Sequence, residues 1–137
     1  MSFAKFPSVF VKLTGRNGIV REFNALIDPG AEYCLIPKVD AYALGYPEAA
    51  NDNPITPKNN TLTFTGFAGY GRAALINLVR VDVGSLPFDK VEFVAVDIPQ
   101  ATGFDVVLGR SLLRFMRLEF DYPNGRLMLE KRKEVTQ

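Results

Sequence analysis

Histidine is absent from all 137 positions, and cysteine occurs once, as Cys34. The missing imidazole excludes the Ser-His-Asp triad and the Cys-His pair, because each relies on that ring to take the nucleophile's proton. With one thiol and no imidazole, a zinc site of the Cys or His type is excluded as well. Cys34 itself lies in the apolar run Cys34-Leu35-Ile36, away from any cation that would activate it, and reads as a small core residue. Excess charge is also lacking: sixteen basic against fifteen acidic side chains leave a net +1, which gives no electrostatic case for nucleic acid or an anionic membrane. No run approaches the roughly 18 to 20 apolar residues of a membrane span, and Met1 to Pro7 lacks the apolar stretch of a secretory signal. Neither Gly-x-x-x-x-Gly-Lys nor Gly-x-Gly-x-x-Gly is present to cradle a phosphate. These absences predict a soluble cytoplasmic protein with no cofactor and no metal; if it is an enzyme, its reagents are carboxylates.

What is present is an ordinary globular composition, 47% apolar and 23% charged, in a length that suits one domain with a real core. Ser8 to Leu13 and Ile19 to Ile27 are β-branched and aromatic runs joined through Asn17-Gly18, a strong hairpin signal. Lys38 to Leu44 can form a short helix closed by Gly45 with Pro47 beyond it, and Glu48 to Asn60 reads as an exposed loop. Thr61 to Thr65 and Arg72 to Val83 predict a second hairpin around Gly66, Phe67, Ala68, Gly69, Tyr70 and Gly71, a tip whose glycines would permit the motion of a flap. Gly84 to Pro87 turns the chain into a strand from Lys90 to Val96. A buried strand, Phe104 to Leu108, then runs through Gly109 into one or two helical turns between Arg110 and Met116. Leu118 to Asp121 and Arg126 to Glu130 close the chain as strand, turn and strand. Short strands at this spacing predict an all-β sandwich or barrel.

One carboxylate stands out. Ala25-Leu26-Ile27-Asp28-Pro29-Gly30-Ala31 puts Asp28 on a tight turn at the end of an anchored strand, with Pro29 preset for the first central turn position and Gly30 suited to the positive φ of a type II turn. Alone this is a turn like any other.

The order of three features makes it more: Asp28-Pro29-Gly30-Ala31, then the glycine-rich hairpin, then Val106-Val107-Leu108-Gly109-Arg110-Ser111-Leu112-Leu113. From about Val9 to Glu130 the chain resembles the retropepsin-like aspartic proteases, whose Asp-Thr/Ser-Gly-Ala turn is matched by residues 28–31. The closing Phe120-Asp121-Tyr122-Pro123-Asn124-Gly125-Arg126-Leu127 is similar to the end of bacterial members.

The resemblance implies a retropepsin-like closed barrel spanning 1–137 with one or two short helices. It implies a homodimer that cuts peptide or protein substrates with Asp28 from each subunit, residues 66–71 serving as flap and substrate contact. Hydrolysis by carboxylates needs two of them in contact, one protonated and one ionised, and only Asp28 lies in the full context. The second Asp-x-Gly, Asp82-Val83-Gly84, is followed by Ser-Leu-Pro and reads as a strand-end turn; Asp97, Asp105 and Asp121 read as surface or turn carboxylates. At 29 the chain departs from the family: Pro29 has neither the hydroxyl nor the N–H that helps lock two such loops together. The alternative to an active endopeptidase is therefore a retropepsin-fold module that binds peptides or partners without cutting them.

Overall fold

Alternating burial along the first hairpin already sets the inside and the outside of the fold. In β1 (Ser8–Thr14) Val11 and Leu13 point in, and in β2 (Val20–Ile27) Phe23, Ala25 and Ile27 do, while the residues between them face outward. The computed structural model describes residues 8–50, 61–66, 69–97 and 105–132, with 50, 61–66 and 69–73 described as backbone only. Its remaining strands are β3 (Cys34–Pro37), β4 (Thr61–Gly66), β5 (Gly69–Val83), β6 (Leu86–Val96), β7 (Val106–Leu108), β8 (Met116–Asp121) and β9 (Arg126–Lys131).

The main sheet runs β1-β2-β7-β3-β6-β5-β4, and β1 also pairs with β5 through Val11↔Val83 to Thr14↔Arg80. That extra pairing closes six strands into a barrel and leaves β4 outside it as one arm of a hairpin. Closure satisfies both edges of every barrel strand, so the ladder groups need no other cover. The core fills the ring, with Leu13, Ile36, Ile76, Leu78, Phe93 and Leu108 among the fully buried side chains. β8 and β9 form a separate antiparallel pair whose Leu118, Phe120, Leu127 and Leu129 lie against that core.

The long hairpin β5–β6 serves two parts of the barrel because it kinks in the middle. Ala74, Ile76 and Leu78 point inward, then Val81 and Val83 do, so the inward parity changes at Val79 and Arg80. Lys90, opposite this break, has φ +53, the one non-glycine residue with a positive φ among those described. A local break of this kind bends a strand pair enough to turn a barrel corner.

Two short helices complete the fold. α1 (Lys38–Ala43) ends in a Schellman arrangement: Gly45, at φ +97, donates its N–H to Tyr42 O, and Tyr46 N–H reaches Ala41 O. α2 (Arg110–Leu113) is a single turn with Ser111, Leu112 and Leu113 buried.

Three expectations need correction. The segment read as a loop from Glu48 begins with a 3₁₀ turn, Pro47–Ala50, and Ala49 is 1% exposed. Its placement follows from Arg16, which lies over the Tyr46 ring at 4.5 Å and pairs with Glu48 at 2.8 Å, tying the first hairpin's tip to this stretch; residues 51–60 lie outside the described residues. β6 starts at Leu86 rather than Lys90, since Gly84 and Ser85 alone make the turn and Pro87 already lies opposite Asp82. Gly30 does not adopt a positive φ, so the Asp28 turn is not type II. Among the described residues no helix is long and apolar enough to cross a membrane.

Candidate functional site

β2 and β7 run parallel, and β3 runs antiparallel to β7 on its other side. The chain therefore leaves β2 at Ile27, crosses over the end of β7 through residues 28–33, and returns as β3. Asp28 is the first residue of that crossover. Its N–H donates to Leu108 O at 3.0 Å, so the turn begins tied to the last residue of β7. Ala31 N–H closes the turn on Asp28 O at 3.1 Å, and Gly30 N–H donates to the Asp28 carboxylate Oδ1 at 2.9 Å. Pro29 suits the first central position of such a turn, and the carboxylate reaching two residues forward is an Asx turn. Gly30 matters here for space, because a Cβ would stand 3.2 Å from Oδ1. Pro29 and Gly30 are exposed, and Asp28 and Ala31 are half-buried.

The crossover is clamped from below by the turn between β7 and α2. Arg110 N–H donates to Ala31 O at 2.8 Å and Ser111 N–H to Glu32 O at 3.0 Å. Gly109 passes so close beneath that an added Cβ would lie 2.3 Å from Tyr33 O and 2.8 Å from Ala31 O. The apolar-apolar-glycine pattern thus has a steric cause: β7 must be buried, and the residue after it must have no side chain. Cys34 completes the clamp, its Sγ accepting from Gly109 N–H at 3.3 Å and its S–H facing Gly109 O at 3.7 Å. Burial pushes its thiol up to about 11, outweighing the opposing hydrogen bond to Ser111, so it stays protonated and packs as expected.

Asp28 stands two residues beyond Leu26, just past the end of β2, and Leu26 alternates with the inward Ala25 and Ile27 and so faces out of the barrel. Leu26 lies opposite Val107, Val107 opposite Leu35, Leu35 opposite Val94 and Val94 opposite Leu75. Directly opposed residues share a face, so this is an apolar row across five strands on the outside of the barrel, ending beside Asp28. Val94 and Val96 form a hydrophobic cluster separate from the core, with Tyr33, Leu35 and Leu75 against it. Sequence reasoning missed this row. The available signal was the absence of alternation in Phe93-Val94-Ala95-Val96 and Val106-Val107-Leu108, which marks strands with both faces covered.

The glycine-rich hairpin is present as backbone, with β4 and β5 paired from Thr61↔Ala74 to Gly66↔Gly69. Phe67, Ala68 and the side chain of Tyr70 lie outside the described residues. The other carboxylates are engaged elsewhere. Asp82 pairs with Arg80 at 2.9 Å, Asp121 accepts from Asn124 Nδ2 at 2.8 Å, Asp105 accepts weakly from Asn24 N–H, and Asp97 is an exposed neighbour of Lys38. Among the described residues none of them bonds to Asp28, and no group of three His, Cys, Asp or Glu converges on a metal position.

A family model described as aspartyl protease matches residues 11–112, from β1 through the first three residues of α2. A solved retropepsin-like aspartic protease from Rickettsia conorii aligns with a TM-score of 0.60 and 22% identity, covering 93% of this chain and 92% of that one. Among curated proteins none matches this sequence.

Proposed function

Because the chain belongs to the aspartyl protease family and has the retropepsin-like fold, we propose that it is an aspartic endopeptidase whose catalytic pair is made by Asp28 of two copies. The observation that carries this reading is the setting of Asp28, a half-buried carboxylate held at one oxygen by Gly30 N–H, beside an outward apolar row. One carboxylate cannot supply both the base and the acid of peptide hydrolysis. Two in contact can, because mutual repulsion keeps one protonated while the other is ionised.

The ionised partner takes a proton from a water held between them, and that oxygen bonds to the scissile carbonyl carbon. The protonated partner donates a hydrogen bond to the carbonyl oxygen as negative charge develops there. Collapse of the tetrahedral intermediate breaks the C–N bond, and the leaving amine takes up the proton that the carboxylate removed from water. Leu26, Leu35 and Leu75, the half-buried members of that row, suit apolar substrate side chains on either side of that bond, with Val94 and Val107 buried between them. The β4–β5 hairpin continues from Leu75 beyond the barrel and is the element available to cover them. Two-fold symmetry follows from the need for a second, identical Asp28.

Sedimentation and peptide cleavage measured over the same concentrations test the shared pair. Activity per chain should rise as dimer forms, and adding Asp28→Asn chains to the parent should lower activity by more than dilution does. A strict monomer with full activity would sink the proposal. A stable dimer that binds peptides and cuts none would instead identify a binding module, with Pro29 as the feature that disabled it.

A further inference from the structure

Apart from Cys34 and Tyr46, Ser111 is the only side chain carrying a polar atom that is buried among the described residues, at 7% exposure. The chemistry above makes no use of it. It does not cap its own helix, since Gly109 is the N-cap of α2 and no side-chain cap bond is made there. Instead its hydroxyl donates to Glu92 O of β6 at 2.8 Å and accepts from Cys34 N–H of β3 at 3.0 Å. β3 and β6 run parallel from Cys34↔Phe93 to Pro37↔Val96, so the hydroxyl stands at the start of that ladder. A strand N–H and a neighbouring strand C=O, the groups a ladder joins directly, are joined here through a side chain.

We propose that Ser111 is a positioning residue for Asp28, its hydroxyl setting where β3 begins and thereby how the 28–33 crossover sits on the end of β7. This inference rests on the endopeptidase reading. The path is short and continuous: Asp28 N–H to Leu108 O, Ala31 N–H to Asp28 O, Arg110 N–H to Ala31 O and Ser111 N–H to Glu32 O. Those bonds tie the crossover to the β7–α2 turn alone. The Ser111 hydroxyl extends the β3–β6 ladder by one connection, from Cys34 N–H to Glu92 O, and holds the far end of the crossover at Cys34. Without it, the buried Cys34 N–H and the part-buried Glu92 C=O lose this partner, and β3 must shift or admit water to satisfy the N–H. A carboxylate that has to meet its symmetry mate within hydrogen-bond reach is sensitive to displacements well under an ångström.

Ser111→Ala and Ser111→Thr, the latter keeping the hydroxyl, separate positioning from plain stability. In the folded Ala variant kcat should fall roughly ten- to hundredfold with KM within about twofold, and Thr should restore most of the loss. Amide exchange supplies a readout independent of activity. At Asp28, Ala31 and Arg110 it should quicken at least about tenfold relative to Val11 and Leu13 in β1. Unchanged kcat, or loop exchange that rises no more than exchange in β1, overturns the role. If the parent cuts no peptide, the endopeptidase reading fails and the exchange comparison alone decides whether Ser111 positions the loop. If Ser111→Ala does not fold, Ser111→Cys, which keeps the volume and weakens both bonds, is read by the same criteria.

Discussion

The chain contains the tripeptide Asp-x-Gly twice, and the two copies do different things. At Asp28-Pro29-Gly30 the carboxylate turns onto its own loop, bonded to Gly30 N–H, with no cation bonded to it among the described residues. At Asp82-Val83-Gly84 the carboxylate lies within β5, opposite Lys12 and Pro87, and is neutralised by Arg80 at 2.9 Å. The middle residues diverge as well: Pro29 is exposed, whereas Val83 is 1% exposed and belongs to the barrel core. The glycines diverge last. Gly84, at φ +59, makes a two-residue hairpin turn with open space around it, while Gly30 has no positive φ and yields room to a carboxylate oxygen. A short motif thus gains its chemistry from the strand end that carries it and from what packs underneath.

The sharpest way to break this comparison is at the carboxylates. Asp28→Asn should reduce peptide cleavage by a factor of about 10² to 10⁴ with the melt little changed, while Asp82→Asn leaves cleavage at the parent level. Equal losses in the two variants would erase the distinction.

Next come the glycines that support each copy. Gly109→Ala drives a Cβ against the carbonyls of Tyr33 and Ala31, and should cost about 1 to 3 kcal/mol by denaturant unfolding, together with most of the activity. Gly84→Ala meets no neighbour and pays only for a left-handed backbone, about 1 to 2 kcal/mol, with activity kept.

Cys34, which backs the first copy and has no counterpart behind the second, gives a pH signature. Burial raises its thiol from an ordinary 9.0 to about 11. The unfolded chain therefore loses this proton first as pH rises, and the thiol's contribution to stability is complete below about 9 and lost as pH climbs toward 11. Unfolding curves of Cys34→Ala should lack that part of the alkaline decline.

Pro29→Thr is the gentlest probe. It supplies a hydroxyl and an N–H that can bond across a two-fold axis, each neutral hydrogen bond being worth roughly 0.5 to 1.5 kcal/mol. Loss of the proline costs about 0.4 to 1 kcal/mol per subunit through the unfolded chain. Folding stability should barely move, while the dimer Kd tightens by roughly tenfold and kcat/KM rises with it. No change in either would mean that another contact already locks the two loops.

Much of this was legible in the sequence, and for local reasons. Asn17-Gly18 announced a hairpin, and Gly84 to Pro87 and Tyr122 to Gly125 announced reversals, because turn chemistry acts within a few residues, and Gly45 closed α1 where a left-handed cap was expected. The order of Asp28, the glycine-rich hairpin and Val106 to Leu113 was enough to identify the fold. The 3₁₀ turn at Pro47–Ala50 was missed because it depends on a distant partner, Arg16 from the first turn, and the beginning of β6 because Pro87 reads as a turn residue although it lies in the strand opposite Asp82.

What the sequence by itself determined, then, is which segments are strands, where they reverse, and that one carboxylate stands at the end of an apolar strand in a chain without imidazole. Tertiary structure alone decided that the crossover from β2 to β3 passes over β7, that Gly109 must lie against Tyr33 O and Ala31 O, and that the Ser111 hydroxyl joins β3 to β6. Periodicity and turn preference are properties of neighbours along the chain. Closing a barrel brings residue 28 to 108, 31 to 110, 33 to 109, and 34 and 92 to 111, at hydrogen-bonding or van der Waals distance, and no local pattern encodes which of them will meet.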